Sequence, residues 1–230
     1  MRLAAALALA ISVGCASDAE LVAVHHAQEQ IALLPLHPGN GDPAIACVTS
    51  EPGVTISGTT DARAVIVAVW ADGTIIWSED RSRGGPPYFL AELPAFGVQR
   101  LVSQMQSSLR ASQRTEYLVP DAGYTEVALA SPTRLDSMSS CIPEFERHPG
   151  LVATDDGIQA LKGQDRAEVL ARQSRELREF RDAWTRSVDA LIGAIPESGI
   201  PLGLEAFRYA ESLFRCGRAR HSTRPIGSGS

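Results

Sequence analysis

The sequence predicts an α+β fold: a small, mostly antiparallel sheet built around a central β-hairpin (64–78), packed by a helix near 95–110 and by a long C-terminal amphipathic helix (166–195). Two observations carry this. Between Ala64 and Ser78, β-branched and aromatic residues crowd both sides of Asp72-Gly73, a dipeptide suited to tight hairpin turns. From Asp165 onward, apolar residues recur at steps of three, four and seven, the period of a helix with one buried face. The composition, 44% hydrophobic and 21% charged over 230 residues, supplies a core for one such domain and excludes a chain disordered throughout.

The first element is a leader. Arg2 precedes an unbroken apolar and small run from Leu3 to Val13, too short for the roughly 20 residues a membrane span needs. It fits the apolar region of a signal peptide over 1–14, followed by a single domain over 15–217 and a basic tail over 218–230 expected to be disordered. The stretch Ser12-Val13-Gly14-Cys15 resembles the lipobox of bacterial lipoproteins. That resemblance implies acylation of Cys15, a membrane held through the lipid anchor, and a domain facing the periplasm or cell exterior. Ordinary cleavage after Ala16 or Ala19 would instead release a soluble exported protein.

Residues 20–34 suit either a short helix or a strand, and His37 to Pro43 form a loop rich in Gly and Pro. Ile45 to Val48 and Val54 to Ser57 read as short strands. In the hairpin, a two-residue type I′ turn at Asp72-Gly73 sets Ala71 opposite Thr74, Trp70 opposite Ile75 and Ala68 opposite Trp77. One face then carries Ile66, Trp70, Ile75 and Trp77, the other Val65, Val67, Val69 and Ile76. Both are apolar, so both should be covered. After a charged loop, Tyr88 to Leu93 adds a third strand, and Pro94 suits the first turn of a helix that repeats Phe96, Leu101, Met105 and Leu109. Tyr124 to Ala130 reads as another strand, while the prolines and glycines of 131–164 suggest irregular chain.

The long helix opens at Asp165 with Glu168 at capping-box spacing. Leu170, Leu177, Phe180, Trp184, Val188, Leu191 and Ile195 line one face, and Pro196 and Gly199 end it. A last short helix from Leu204 to Arg215 presents Phe207, Ala210 and Phe214, with Gly217 as its cap.

Function is much less legible. A net charge of −6, with Lys162 the sole lysine, leaves no basic stripe for a phosphate backbone, so no nucleic-acid partner is expected. Nucleotide, zinc-protease, serine-hydrolase and dithiol motifs are absent, and no cofactor or metal is expected. His25 and His26 are neighbours whose side chains diverge, and a metal site would need His37 or a carboxylate brought to them. Asp155-Asp156-Gly157 reads as a turn and helix start. Cys141 and His148 are the best nucleophile and base, with Asp155 or Asp156 as the orienting acid, although Glu144 and Glu146 disfavour a thiolate. With Cys15 acylated, Cys47, Cys141 and Cys216 leave one disulfide of unassigned pairing and one thiol. The loop from Glu79 to Tyr88 offers Arg81, Arg83 and Tyr88 for an anionic or peptide ligand. The leading expectation is a non-catalytic lipoprotein of the cell envelope that binds a partner or small ligand through such loops. The alternatives are a hydrolase or thiol enzyme using Cys141 and His148, and an assembly subunit packing through helix 166–195.

Overall fold

Ten strands and four helices order the described residues, 43–53, 63–131 and 133–202 of the computed structural model. The strands are β1 (Ala46–Glu51), β2 (Ala64–Val69), β3 (Thr74–Ser78), β4 (Tyr88–Glu92), β5 (Glu116–Tyr117), β6 (Tyr124–Ser131), β7 (Arg134–Ser140), β8 (Leu151–Thr154), β9 (Gly157–Ala160) and β10 (Ile200–Leu202). The helices are α1 (Ala95–Leu109), α2 (Ile142–Glu146), α3 (Arg166–Ala171) and α4 (Arg175–Ile192). Eight strands form one sheet in the order β10-β4-β3-β2-β1-β6-β7-β5, and β8 with β9 make a separate hairpin. All pairs in the large sheet are antiparallel except β5 with β7. The architecture is thus α+β around a mostly antiparallel sheet, and the sheet is large rather than small.

The central hairpin departs from the expected turn. Trp70 N–H donates to Thr74 O at 2.9 Å and Gly73 N–H donates to Trp70 O at 3.1 Å, so the loop holds three residues, Ala71, Asp72 and Gly73. Gly73 takes φ +98°, and a Cβ there would lie 2.4 Å from Leu93 O, so only glycine fits. Asp72 Oδ1 accepts from Thr74 N–H at 2.9 Å. The pairing becomes Val67 with Trp77, Ala68 with Ile76 and Val69 with Ile75. One residue of slip moves a side chain to the other face. Trp70 and Trp77, expected on one face, therefore lie on opposite faces, both buried.

A second irregularity lies in β2. Val48 pairs with Val67 and Thr49 with Val65, which leaves Ile66 as an extra residue in a bulge. The bulge places Ile66 and Val67 together in the main core, where simple alternation would separate them. That core gathers Ala46, Val48, Ile66, Val67, Val69, Ile75, Trp77, Val127 and Leu129 from the sheet with Leu101, Met105 and Leu109 of α1 and Leu177, Phe180, Ala183 and Leu191 of α4. The second face carries Cys47, Val65, Ala68, Trp70, Ile76, Tyr88 and Ala128 with Ala44.

The helices follow their sequence signals closely enough to explain the differences. Pro94 precedes α1, and Val98, Leu101, Met105 and Leu109 form its buried side. Phe96 is not on that side, being 71% exposed. The expected continuous helix 166–195 is broken into α3 and α4 by a new helix start at Ser174. The Ser174 hydroxyl accepts from Leu177 N–H at 3.1 Å, and Asp155 Oδ2 accepts from Ser174 N–H at 2.8 Å. Residues 133–164 carry regular elements where irregular chain was expected: β7 pairs with β6, α2 follows, and β8 and β9 turn at Asp155-Asp156 into a strand rather than a helix. Residues 54–57, the last helix at 204–215 and the tail at 218–230 lie outside the described residues.

Candidate functional site

The loop joining β3 to β4 is built as a fixed turn. Asp80 Oδ1 accepts from Ser82 N–H at 2.9 Å, from the Ser82 hydroxyl at 2.7 Å and from Arg83 N–H at 3.0 Å. Those bonds, the Ser82 hydroxyl first, hold the Asp80 carboxyl below its ordinary value. Gly84 N–H donates back to Asp80 O at 2.8 Å, and Gly85 N–H reaches Val65 O at 3.2 Å, tying the loop to β2. Gly84 has φ +75°, with Val65 O 2.6 Å from where a Cβ would sit. The effect is to present Arg81 and Arg83 to solvent on a fixed backbone. Tyr88 is elsewhere: it is the first residue of β4 and 1% exposed, in the core on the second face. The three residues expected to grip one ligand are therefore not brought together.

Arg83 instead meets residues that the sequence did not single out. It lines a pocket of about 320 Å³ with Ser50, Glu51, Gly53, Glu144 and Arg147. Arg147 is salt-bridged to Glu144 and donates from Nε to Pro143 O at 3.3 Å. On the β1 side, Glu51 accepts from the Tyr124 hydroxyl and lies 3.6 Å from Arg63 Nε, which also donates to Thr49 Oγ1 at 2.8 Å. Arg63 forms a salt bridge to Glu126 as well. Two arginines from separate loops thus flank a polar pocket whose acids are already engaged. Arg83 and Arg147 lie 64 residues apart in sequence (147 − 83), so local pattern does not bring them to one pocket.

Cys141 and His148 do not form a pair. Cys141 is a free thiol at the start of α2, 0% exposed, and burial pushes it above its ordinary value. His148 is exposed, and its carbonyl accepts from Leu151 N–H at 3.0 Å in a surface turn. Of the two acids expected to orient it, Asp155 serves otherwise: its carboxylate accepts from the Ser174 hydroxyl and N–H, and that bonding, the hydroxyl first, holds it below the ordinary value. The polar groups of α2 and its neighbours form a structural network instead. Glu146 accepts from Arg181 Nη2 at 2.6 Å and Nη1 at 3.1 Å, and from Ala153 N–H at 3.0 Å. Arg166 lies 3.5 Å from it, and the Tyr117 hydroxyl donates to Thr154 O at 2.7 Å.

A shallow groove of about 860 Å³ runs between α1 and α4, with Phe96, Arg100, Gln104, Arg186 and Asp189 among its lining residues. The apolar stripe of α4 does not face outward. Leu177, Phe180 and Leu191 are 0% exposed against the sheet, while Trp184 and Val188 of the same stripe are half-buried. Among the described residues, no group of three or more His, Cys, Asp or Glu could hold a metal ion, and no helix is long and apolar enough to cross a membrane. The leader, Cys15, His25, His26 and His37 lie outside the described residues. No protein-family model, curated protein or solved structure matches the chain.

Proposed function

We propose that this chain is an exported, lipid-anchored, non-catalytic protein of the cell envelope that binds an anionic ligand or partner through its surface loops. The leader over 1–14 and the Gly14-Cys15 junction support the export and the anchor. The disulfide at Cys47 agrees with them, because such bonds persist in oxidising compartments. The observation that carries the binding reading is the convergence of Arg83 and Arg147 on one pocket, from loops held by backbone hydrogen bonds. Guanidinium groups on a fixed frame suit carboxylate or phosphate, which they can engage through two parallel bonds.

The test is thermal unfolding of the mature protein in succinate and in inorganic phosphate, against chloride at matched ionic strength. At least one anion should raise the melting temperature, and Arg83→Ala and Arg147→Ala should each remove most of the rise. An equal melting temperature in all three salts would refute the anion reading.

A further inference from the structure

The side chains lining the pocket beside Arg83 carry charges of both signs in equal number. Arg83 and Arg147 are its cations, Glu51 and Glu144 its anions, and the formal sum is zero (2 − 2). The acids are engaged but not saturated, because a carboxylate offers about four lone-pair sites. Glu144 meets Arg147 through Oε2, and its side chain is 51% exposed, so Oε1 stays open to a donor. Glu51 gives Oε2 to the Tyr124 hydroxyl, while Oε1 lies 3.6 Å from Arg63 Nε. On the cationic side, Arg83 ties its backbone N–H to Asp80 Oδ1, but its guanidinium makes no hydrogen bond or ion pair among the described residues.

We propose that the ligand of this pocket is a small zwitterion, an aminocarboxylate, whose carboxylate lies on Arg83 and Arg147 and whose ammonium lies on Glu144 beside Glu51. This rests on the anion reading above and narrows it. Charge decides the class. A dianion could set one end on the arginines, but its other end would face two carboxylates and be repelled. A simple monoanion would leave the open acceptor of Glu144 unmatched. A molecule with a carboxylate at one end and an ammonium at the other answers both pairs, and its net charge of zero equals that of the pocket.

Size and cost agree. A volume of about 320 Å³ stands at the lower end of small-molecule pockets, which run from about 300 to 1,000 Å³. The Arg147–Glu144 pair joins side chains 38% and 51% exposed, and so exposed a pair holds its partners weakly. A ligand can therefore share both groups without breaking anything the fold depends on. The four charges come from β1, the β3–β4 loop and α2, so this selectivity exists only in the folded chain.

Calorimetric titration of the mature protein tests the class without assuming the distance between the two charged ends. Glycine, β-alanine, γ-aminobutyrate and ε-aminocaproate are each compared with the carboxylate of the same chain length that lacks the amine: acetate, propionate, butyrate and caproate. Chloride keeps ionic strength constant. At least one aminocarboxylate should bind about tenfold more tightly than its match, the factor a charged hydrogen bond supplies. Glu144→Gln should remove most of that advantage without weakening the plain carboxylate, whereas Arg83→Ala should weaken both members of the pair. A loss of both members in Glu144→Gln would make Glu144 a structural residue and overturn the proposal. An advantage that survives Glu144→Gln would overturn it too. Equal binding within every pair would remove the zwitterion and leave the anion reading standing. Binding by neither member of any pair would remove the proposal, and inorganic phosphate would then decide whether the anion reading falls with it.

Discussion

At the scale of single residues, Glu146 is the most heavily engaged carboxylate described. Burial alone would raise its pKa. The Arg181 hydrogen bonds, the Ala153 N–H and the charges of Arg181 and Arg166 outweigh burial and hold it below the ordinary 4.5. A carboxyl depressed in this way stabilises the fold fully above its unfolded value and loses that contribution as pH falls through the folded one. Glu146→Gln should therefore cost about 3 kcal/mol at neutral pH, the lower end for breaking a buried pair. The gap from the parent protein should narrow as pH falls from the ordinary carboxyl value through the depressed folded one. Urea midpoints at several pH values would measure both, and a gap that does not change with pH would place the effect in packing rather than charge. Cys141 supports a second expectation. Its thiol, buried and raised, should react with iodoacetamide slowly in the folded protein and rapidly in urea, and His148→Ala should leave both rates unchanged. A fast native reaction abolished by that substitution would restore the nucleophile and base pair.

At the scale of elements, small polar residues decided where the chain turned and broke. Ser174 caps α4 with its own hydroxyl and is itself held by Asp155, so Ser174→Ala should cost about 1 kcal/mol in thermal unfolding, the usual loss for a cap. An unchanged melting temperature would show the break to be set by packing alone. Gly73→Ala should cost at least about 1 kcal/mol, because it forces a Cβ onto Leu93 O at positive φ. Much of this level was legible. The runs flanking Asp72-Gly73 do form β2 and β3, and the periodicity at 95–110 does mark α1. What could not be read was register. Asp-Gly suits both a two-residue turn and a three-residue loop with glycine last, and these differ by one residue in every pair they set. The Ile66 bulge has no mark in a run of β-branched residues. Ser174, followed by Glu176 in the first turn, was a readable helix start, but the apolar stripe continues through it and hid the break. The pocket was half legible. Arg83 stands out in its loop, but Arg147 reaches it only through the folding of β1, β6 and α2, which local pattern does not encode.

At the scale of the whole molecule, the proposed anchor gives the plainest prediction. Protein from the native host should begin at Cys15, carry acyl mass and partition into detergent. A start at Ser17 or Glu20 without acyl mass would place the domain in solution. The sheet's two ends bear on how such a domain behaves when crowded on a membrane surface. Among the described residues its edge strands are β10, three residues with an exposed Pro201 at the centre, and β5, two residues with exposed Glu116 beside Tyr117. Proline has no N–H to donate, so Pro201 fits a paired edge strand with its nitrogen turned outward, where an arriving strand would need a donor. At the other end, a two-residue strand offers too short a ladder to template another chain. Both described borders are therefore poor templates for a further strand. If the proposed anchor holds many copies at high local density, those borders would keep them separate rather than let them zip edge to edge into fibres.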